Sequence, residues 1–164
     1  MKATGIVRRI DDLGRVVIPK EIRRVLRIRE GDPLEIYTGG SSEVILKKYS
    51  PISDLSRYAA EYAETASGIL GASVMISDTD QIIAASGSMK KNMLNKNIDK
   101  ELDDIIQSRS SVLKGSRIVV PIISQGDPIG SITVTSSDSS RTLGEAELKA
   151  ARIGAGFLAK QMEN

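Results

Sequence analysis

The chain has 164 residues, of which 40% are hydrophobic and 27% charged, and its formal net charge is +2. It contains neither cysteine nor histidine, which excludes disulfides, thiolate or imidazole metal sites, and the Ser-His-Asp and Cys-His nucleophile systems. No apolar run approaches the ~20 residues of a membrane span, and no apolar segment follows the basic start as in a secretory signal. We therefore expect a cytoplasmic protein that is not an enzyme, holds no metal or cofactor, and has no membrane partner.

Positive charge is concentrated at the start of the chain. Nine of the 23 basic residues lie in residues 1–29, against three acidic residues, which is a local net charge of +6. Such density is typical of a segment that binds a polyanion, most often nucleic acid. The alternative is a solvated surface on which the arginines only pair with neighbouring carboxylates, but three acids cannot match nine bases.

The pattern of residues 1–50 predicts a small, mainly β unit. Strand, strand, helix, strand and strand follow one another at residues 4–10, 15–18, 20–27, 34–38 and 43–48. Residues 11–14 form the turn between the first two strands. Pro19 ends the second strand, because it cannot donate to a ladder, and suits the start of the helix.

A unit of this size buries too little apolar surface to be stable by itself, and it has no disulfide or metal to help. Its first two strands are also apolar on both faces, as Ile6 and Val7 in one and Val16 and Val17 in the other indicate. Strands of that kind need cover on both sides. We therefore expect an obligate homodimer in which two copies complete one shared core.

One long ordered motif lies within this unit, D-x-L-G-R-V-V-I-P-x-E-x-R-R-x-L-x-I, inside residues 4–36. It resembles the swapped-hairpin DNA-binding domain of the AbrB-type transition-state regulators of spore-forming bacteria. The resemblance implies a mainly β, intertwined dimer that presents arginines to double-stranded DNA. The positions that match the family's DNA-contacting arginines are Arg8, Arg15, Arg23 and Arg24, with Lys2 as a helper.

The placement of these arginines along the chain agrees with that role. If Ile22, Val25 and Leu26 face inward on the helix, Arg23 and Arg24 are left on its open side. Arginine holds phosphate oxygens bidentately or reaches guanine edges. There is no separate helix of Asn, Gln and Ser to read bases. We therefore expect readout of DNA shape and flexibility more than of a strict consensus.

After a predicted linker at residues 51–54, residues 55–164 predict an α+β domain. Helix, strand, strand, helix, strand, strand and helix follow at residues 54–70, 72–77, 81–86, 98–108, 117–124, 128–136 and 143–162. Ser53 or Asp54 is expected to cap the first helix. This order resembles a GAF-like domain, and regulators of the AbrB type that carry a second domain have one here.

The second domain is predicted to serve assembly rather than DNA binding. Residues 51–164 carry a net charge of −2, against +4 for residues 1–50. The first and last helices of this domain are rich in Ala and Gly, which lets helices approach closely, so we expect a homotetramer built from DNA-binding dimers. The alternative is packing of those helices on the domain's own sheet.

Sensing of a small-molecule effector is the other role for this domain. A shallow polar pocket near Ser86, Ser88 and Lys90 is one interpretation, and an ordinary loop is the other. Residues 113–117 are short for a pocket cover, and no aromatic cage is present to hold a chromophore, haem or cyclic nucleotide.

Taken together, the sequence predicts a DNA-binding transcriptional regulator of sporulation that activates or represses according to where it binds, associated with the nucleoid. Two alternatives remain. Related swapped-hairpin dimers serve as antitoxins of toxin–antitoxin pairs, although those usually end in a disordered acidic tail. The second alternative is a metabolite-sensing module for which DNA is incidental.

Overall fold

The computed structural model describes residues 4–40, 42–88 and 90–163, without the side chains of residues 53, 90 and 91. The chain divides into two compact units, Met1–Tyr49 and Ser50–Asn164.

The first unit contains one short helix and one hairpin. Helix α1 spans Lys20–Val25, and strands β1 (Leu34–Gly39) and β2 (Glu43–Lys48) pair antiparallel. The register runs from Leu34 opposite Lys48 to Gly39 opposite Glu43. The predicted hairpin is therefore confirmed.

The strands predicted at residues 4–10 and 15–18 are wrong for a single chain. Neither segment pairs with another strand or forms regular secondary structure among the described residues. A strand needs a ladder partner, and none for these segments lies in the part of the chain that the structure describes. Their apolar side chains are accordingly exposed, 84% for Val7 and 70% for Val17.

The apolar side of α1 is also largely exposed. Ile22 is half-buried, but Val25 and Leu26, which were expected to face inward, are exposed. Within the described part of the unit, these two side chains remain mostly uncovered, 76% exposed for Val25 and 55% for Leu26.

The second unit is a five-stranded antiparallel sheet with helices on both faces. The elements after the hairpin are α2 (Ser56–Leu70), β3 (Ser73–Ser77), β4 (Ile82–Ser86), α3 (Lys90–Met93), α4 (Lys100–Ser108), β5 (Val112–Lys114), β6 (Arg117–Ser124), β7 (Asp127–Thr135) and α5 (Glu145–Gln161). The strand order is β4-β3-β7-β6-β5. Because side chains alternate along a strand, the sheet builds two cores. Helices α2 and α5 cover the larger core, and α4 covers the smaller one.

The segment predicted as a linker, residues 51–54, lies within a 3-10 helix at Pro51–Leu55. Its Ile52 is fully buried in the larger core of the second unit. Proline and serine gave this segment the composition of a linker, but the single apolar side chain anchors it. Helix α2 starts after its N-cap, Leu55, which makes no side-chain cap hydrogen bond, so the N-cap predicted at Ser53 or Asp54 is wrong. The side chain of Ser53 lies outside the described residues.

Two elements of the second unit were not predicted from the sequence. Strand β5 lies in the stretch expected to be a pocket cover, and it pairs with β6 through a turn at Gly115 and Ser116. The four-residue α3 lies where a loop was the plainer expectation. Both are too short to show a period of their own in the sequence.

Candidate nucleic-acid interface

The turn at residues 11–14 positions the first candidate, Arg15. The Asp11 carboxylate accepts hydrogen bonds from the backbone N–H of Leu13 at 3.0 Å and of Arg15 at 2.8 Å. The same carboxylate accepts from Arg15 Nε at 2.7 Å. Gly14, at φ +75°, adopts the left-handed conformation that the turn requires. The Asp11 side chain therefore stabilises the turn and also binds the guanidinium of Arg15.

These hydrogen bonds also change the pKa of the Asp11 carboxyl. The backbone N–H of Arg15, followed by its guanidinium, holds the pKa of the Asp11 carboxyl below its ordinary value of 3.8. Asp11 is therefore ionised at any pH at which the protein would meet DNA.

Helix α1 presents Arg23 and Arg24. Its N-cap is Pro19, which is buried, and Ile22 is half-buried beneath the first turn. The two arginines occupy the last turn and are exposed. Neither has a carboxylate partner among the described residues. Two adjacent cations are thus held on a short rigid element and left open to an anion.

Arg8 is also exposed and precedes the turn, with Nη1 donating to the carbonyl oxygen of Val7 at 3.1 Å. Lys2 lies outside the described residues. The described candidates thus all lie in the first unit and are exposed. The ion pair between Asp11 and Arg15 was not predicted from the sequence. The signal available was an acid four residues before an arginine across a glycine turn.

Of the weak candidates in the second unit, the structure describes the side chains of Ser86 and Ser88. Ser88 Oγ lies 3.2 Å from Ser73 Oγ, and Ser86 is half-buried in β4, whereas the side chain of Lys90 lies outside the described residues. No group of three or more acidic residues suited to a metal ion occurs in the described ranges. None of the helices there is long and apolar enough to cross a membrane.

Comparison with known proteins bears on both units. A family model described as "Stage V sporulation protein T C-terminal, transcription factor" matches residues 54–117 and 114–163. The stage V sporulation protein T of Bacillus subtilis (strain 168) is 56% identical over 179 aligned residues, covering 99% of each chain. This chain belongs to the stage V sporulation protein T family. The prediction of a sporulation transcription factor is confirmed at this level.

The first unit has its own relatives. The transition state regulatory protein AbrB of the same organism is 63% identical over 51 residues, which is 31% of this chain and 52% of that protein. A model described as "Antidote-toxin recognition MazE, bacterial antitoxin" matches residues 7–54. The family member therefore carries an AbrB-like DNA-binding domain, as its motif indicated.

The second unit has the GAF fold. The second GAF domain of DevS from Mycobacterium smegmatis superposes with a TM-score of 0.58 at 12% identity, covering 68% of this chain and 93% of that chain. At this identity the likeness concerns the fold alone. The predicted fold class, AbrB-type followed by GAF-like, is confirmed.

This family member lacks some of the positions that are aligned in its Bacillus subtilis relative. The alignment with the Bacillus subtilis relative has 179 positions against 164 residues here, so at least 15 positions have no counterpart in this chain. The two parts of the family match meet at residues 114–117. That is the tight turn between β5 and β6.

Proposed function

We propose that the first unit binds double-stranded DNA through Arg8, Arg15, Arg23 and Arg24, with Lys2 as a helper. The observation that carries this is the open pair on α1, because two exposed arginines without a carboxylate partner in the described part of the chain retain their full charge for an anion. Arginine engages phosphates bidentately, and phosphate contacts set position without reading sequence. We therefore infer readout of DNA shape and flexibility.

We further propose that the unit acts as an interleaved homodimer. Apolar side chains that a single copy leaves exposed are the support for this. They are Ile6, Val7, Ile10, Leu13, Val16, Val17, Val25 and Leu26. A second copy would supply both the ladder partners for residues 4–10 and 15–18 and the cover for these side chains. Such a core, shared between two copies, is what a unit this small needs.

The second unit is proposed to join two such dimers into a homotetramer. On α2 and α5 the large apolar side chains Tyr58, Ile69, Ile153 and Phe157 are exposed, with Tyr58 and Phe157 in edge-to-face contact at 6.4 Å between ring centroids. An exposed apolar patch on two adjacent helices fits a second copy of the same helices. Two joined dimers would gain avidity for DNA from the higher effective concentration of the second.

A role in sensing an effector has weaker support. Ser88 Oγ lies 3.2 Å from Ser73 Oγ, Ser86 pairs with Val74 in the β3–β4 ladder, and the β5–β6 turn is short for a pocket cover. The composition likewise offers no catalytic His or Cys, which supports a regulator rather than an enzyme. We propose a nucleoid-associated regulator in the cytoplasm whose effect, activation or repression, depends on where it binds.

Salt titration tests the DNA-binding proposal. A dimer with the four arginines doubled would make about 8 phosphate contacts and lose roughly 10³–10⁵ in affinity between 50 and 200 mM salt. The double variant Arg23→Ala/Arg24→Ala should bind duplex DNA far more weakly and with a shallower salt slope. The matched control, Lys114→Ala/Arg152→Ala, removes the same charge from exposed positions of the second unit and should bind as the wild type does. Full binding by the α1 variant, or a flat salt dependence, would refute the proposal.

An antitoxin-like DNA-binding protein is the second candidate, favoured by the match of residues 7–54 to an antitoxin model. A toxin-binding tail is disordered until bound, whereas residues 51–163 have a buried core here. Hydrogen exchange distinguishes the two, because a folded regulator protects the amides of α5 and a disordered tail does not. If the protein is instead a metabolite-sensing module, its unfolding temperature should rise when one member of a set of added metabolites binds to it.

A further inference from the structure

The contact between Asp11 and Arg15 uses only one edge of the guanidinium. Asp11 Oδ2 accepts from Arg15 Nε at 2.7 Å, while Oδ1 of the same carboxylate accepts from the backbone N–H groups of Leu13 and Arg15. The backbone closes the same turn, with the Asp11 N–H donating to the Arg15 carbonyl oxygen at 3.0 Å. The carboxylate is thus fixed by the main chain, and it fixes the arginine in turn.

The two terminal nitrogens of Arg15 are left for another acceptor. A guanidinium is planar with five donors, so a partner at Nε leaves the two-pronged far end available for bidentate contact with a phosphate or a guanine edge. The side chains are 70% exposed for Arg15 and 37% for Asp11. The far end therefore faces solvent from a side chain whose rotation is already restricted.

Stability is a poor reason for this pair. Exposed ion pairs contribute little to folding, in the range of about 0–1 kcal/mol. A carboxylate beside a DNA-binding arginine also repels phosphates, so charge alone would favour its removal. Orientation is what the geometry offers, since a side chain restrained before binding loses less entropy on binding.

We propose that Asp11 is a positioning residue for DNA recognition, holding Arg15 by Nε so that its terminal nitrogens stay directed at the nucleic acid. This inference rests on the proposed role of Arg15 in DNA binding. Asp11 itself touches no DNA in this arrangement and acts through the arginine.

Asp12 provides a matched control. It is the next residue, it is exposed, and it carries the same charge, but none of the hydrogen bonds or ion pairs of the turn involves it. Asn at position 11 keeps an oxygen that can accept from Leu13 and Arg15 while removing the charged acceptor from Nε. The pair Asp11→Asn and Asp12→Asn thus separates charge from orientation.

The experiment measures binding of labelled duplex DNA by the full chain and five variants. Three are the single variants Asp11→Asn, Asp12→Asn and Arg15→Ala. The other two combine Arg15→Ala with Asp11→Asn or with Asp12→Asn. We expect Asp12→Asn to bind as tightly as the wild type or more tightly, and Asp11→Asn to bind about tenfold more weakly than Asp12→Asn. In the Arg15→Ala background the two Asn substitutions should be equivalent. The Arg15 Nε–H resonance should exchange slowly in the wild type and in Asp12→Asn, and rapidly in Asp11→Asn.

The outcomes distinguish this inference from the function on which it rests. Equal binding by Asp11→Asn and Asp12→Asn, with Arg15→Ala weakened, would overturn the positioning role and leave Arg15 as a DNA contact. A loss from Asp11→Asn that persists in the Arg15→Ala background would overturn it too, because Asp11 would then act through the turn. Wild-type binding by Arg15→Ala would refute both the inference and the assignment of Arg15.

Discussion

The ring of Tyr62 lies against α5 at Gly154, so closely that a methyl group on Gly154 would overlap the ring. The Tyr62 hydroxyl also donates a hydrogen bond of 2.6 Å to the carbonyl oxygen of Ala150, one turn earlier. Tyrosine and glycine thereby set how closely α2 and α5 approach. This contact explains one of the small residues that the sequence places in the last helix.

Replacing Gly154 by Ala should therefore destabilise the second unit. The added methyl group meets a ring held at both its face and its hydroxyl, and overpacking of this kind costs about 1–3 kcal/mol in free energy of unfolding. Gly156→Ala is the control in the same helix, because nothing lies within 4 Å of its added methyl group. It should be neutral or stabilising by up to about 1 kcal/mol from helix propensity. Urea denaturation compares them, and equal stability of the two variants would contradict the contact.

Tyr62 should also give the protein a pH dependence on the alkaline side. Burial raises the pKa of the Tyr62 hydroxyl above its ordinary value of 10.0. The unfolded chain then loses this proton first, so the stability it contributes is complete below about pH 10 and is lost as the pH rises through the folded-state pKa. Tyr62→Phe should lack this component. Ultraviolet titration of the tyrosinate band checks it. The absorbance that Tyr62→Phe removes should titrate above pH 10, and a lost component with the ordinary tyrosine pKa would count against the prediction.

Arg141 should stabilise the end of α2. Its guanidinium donates to the carbonyl oxygens of Leu70 and Gly71, each at 2.8 Å, and to Glu147 at 3.2 Å. Arg141→Ala leaves these carbonyls without that donor, and we expect a loss of about 1–3 kcal/mol in unfolding free energy. The exposed Arg152→Ala is the control and should change stability by less than about 0.5 kcal/mol. A loss of the same size in both variants would mean that charge, not the cap, is responsible.

Glu147 extends this prediction to acid pH. The backbone N–H of Gly144 is the main cause that lowers the pKa of the Glu147 carboxyl below its ordinary 4.5, and Arg141 adds to it. The stability from Glu147 is then present above pH 4.5 and is lost as the pH falls through the lowered pKa. Acid denaturation of Glu147→Gln should show a smaller loss between neutral and acid pH than the wild type. An identical acid profile would contradict the prediction.

The outward face of α2 and α5 should decide the oligomeric state. Ile69 is 79% and Ile153 72% exposed in the single chain, which is unfavourable for large apolar side chains unless a second copy covers them. Ile153→Asp should halve the mass measured by light scattering on the full chain. Leu113→Asp places the same carboxylate on an exposed apolar position of β5 and should leave the mass unchanged. Wild-type mass for Ile153→Asp would argue against assembly through this face.

Local patterns predicted much of both units correctly. The hairpin of β1 and β2 follows from alternation around a glycine-rich turn, and α4 follows from its apolar stripe. Its cap, Asp99, which accepts from the Leu102 N–H at 2.8 Å, was not predicted as one. Local chemistry was not enough for residues 4–10 and 15–18. Their β propensity is real, but a ladder needs a partner at a distance along the chain or on another chain.

The sequence by itself determined where the positive charge lies and which motif carries the arginines, because charge and turns depend on near neighbours. Only the tertiary structure decided which side of α5 is buried. In α5 the large residues Ile153 and Phe157 point outward, while Ala151, Gly154 and Ala155 pack inward. The reason is close packing on the sheet and on Tyr62, which admits only small side chains at that distance. The ion pair between Asp11 and Arg15 likewise depends on the folded turn, which places Asp11 Oδ2 2.7 Å from Arg15 Nε.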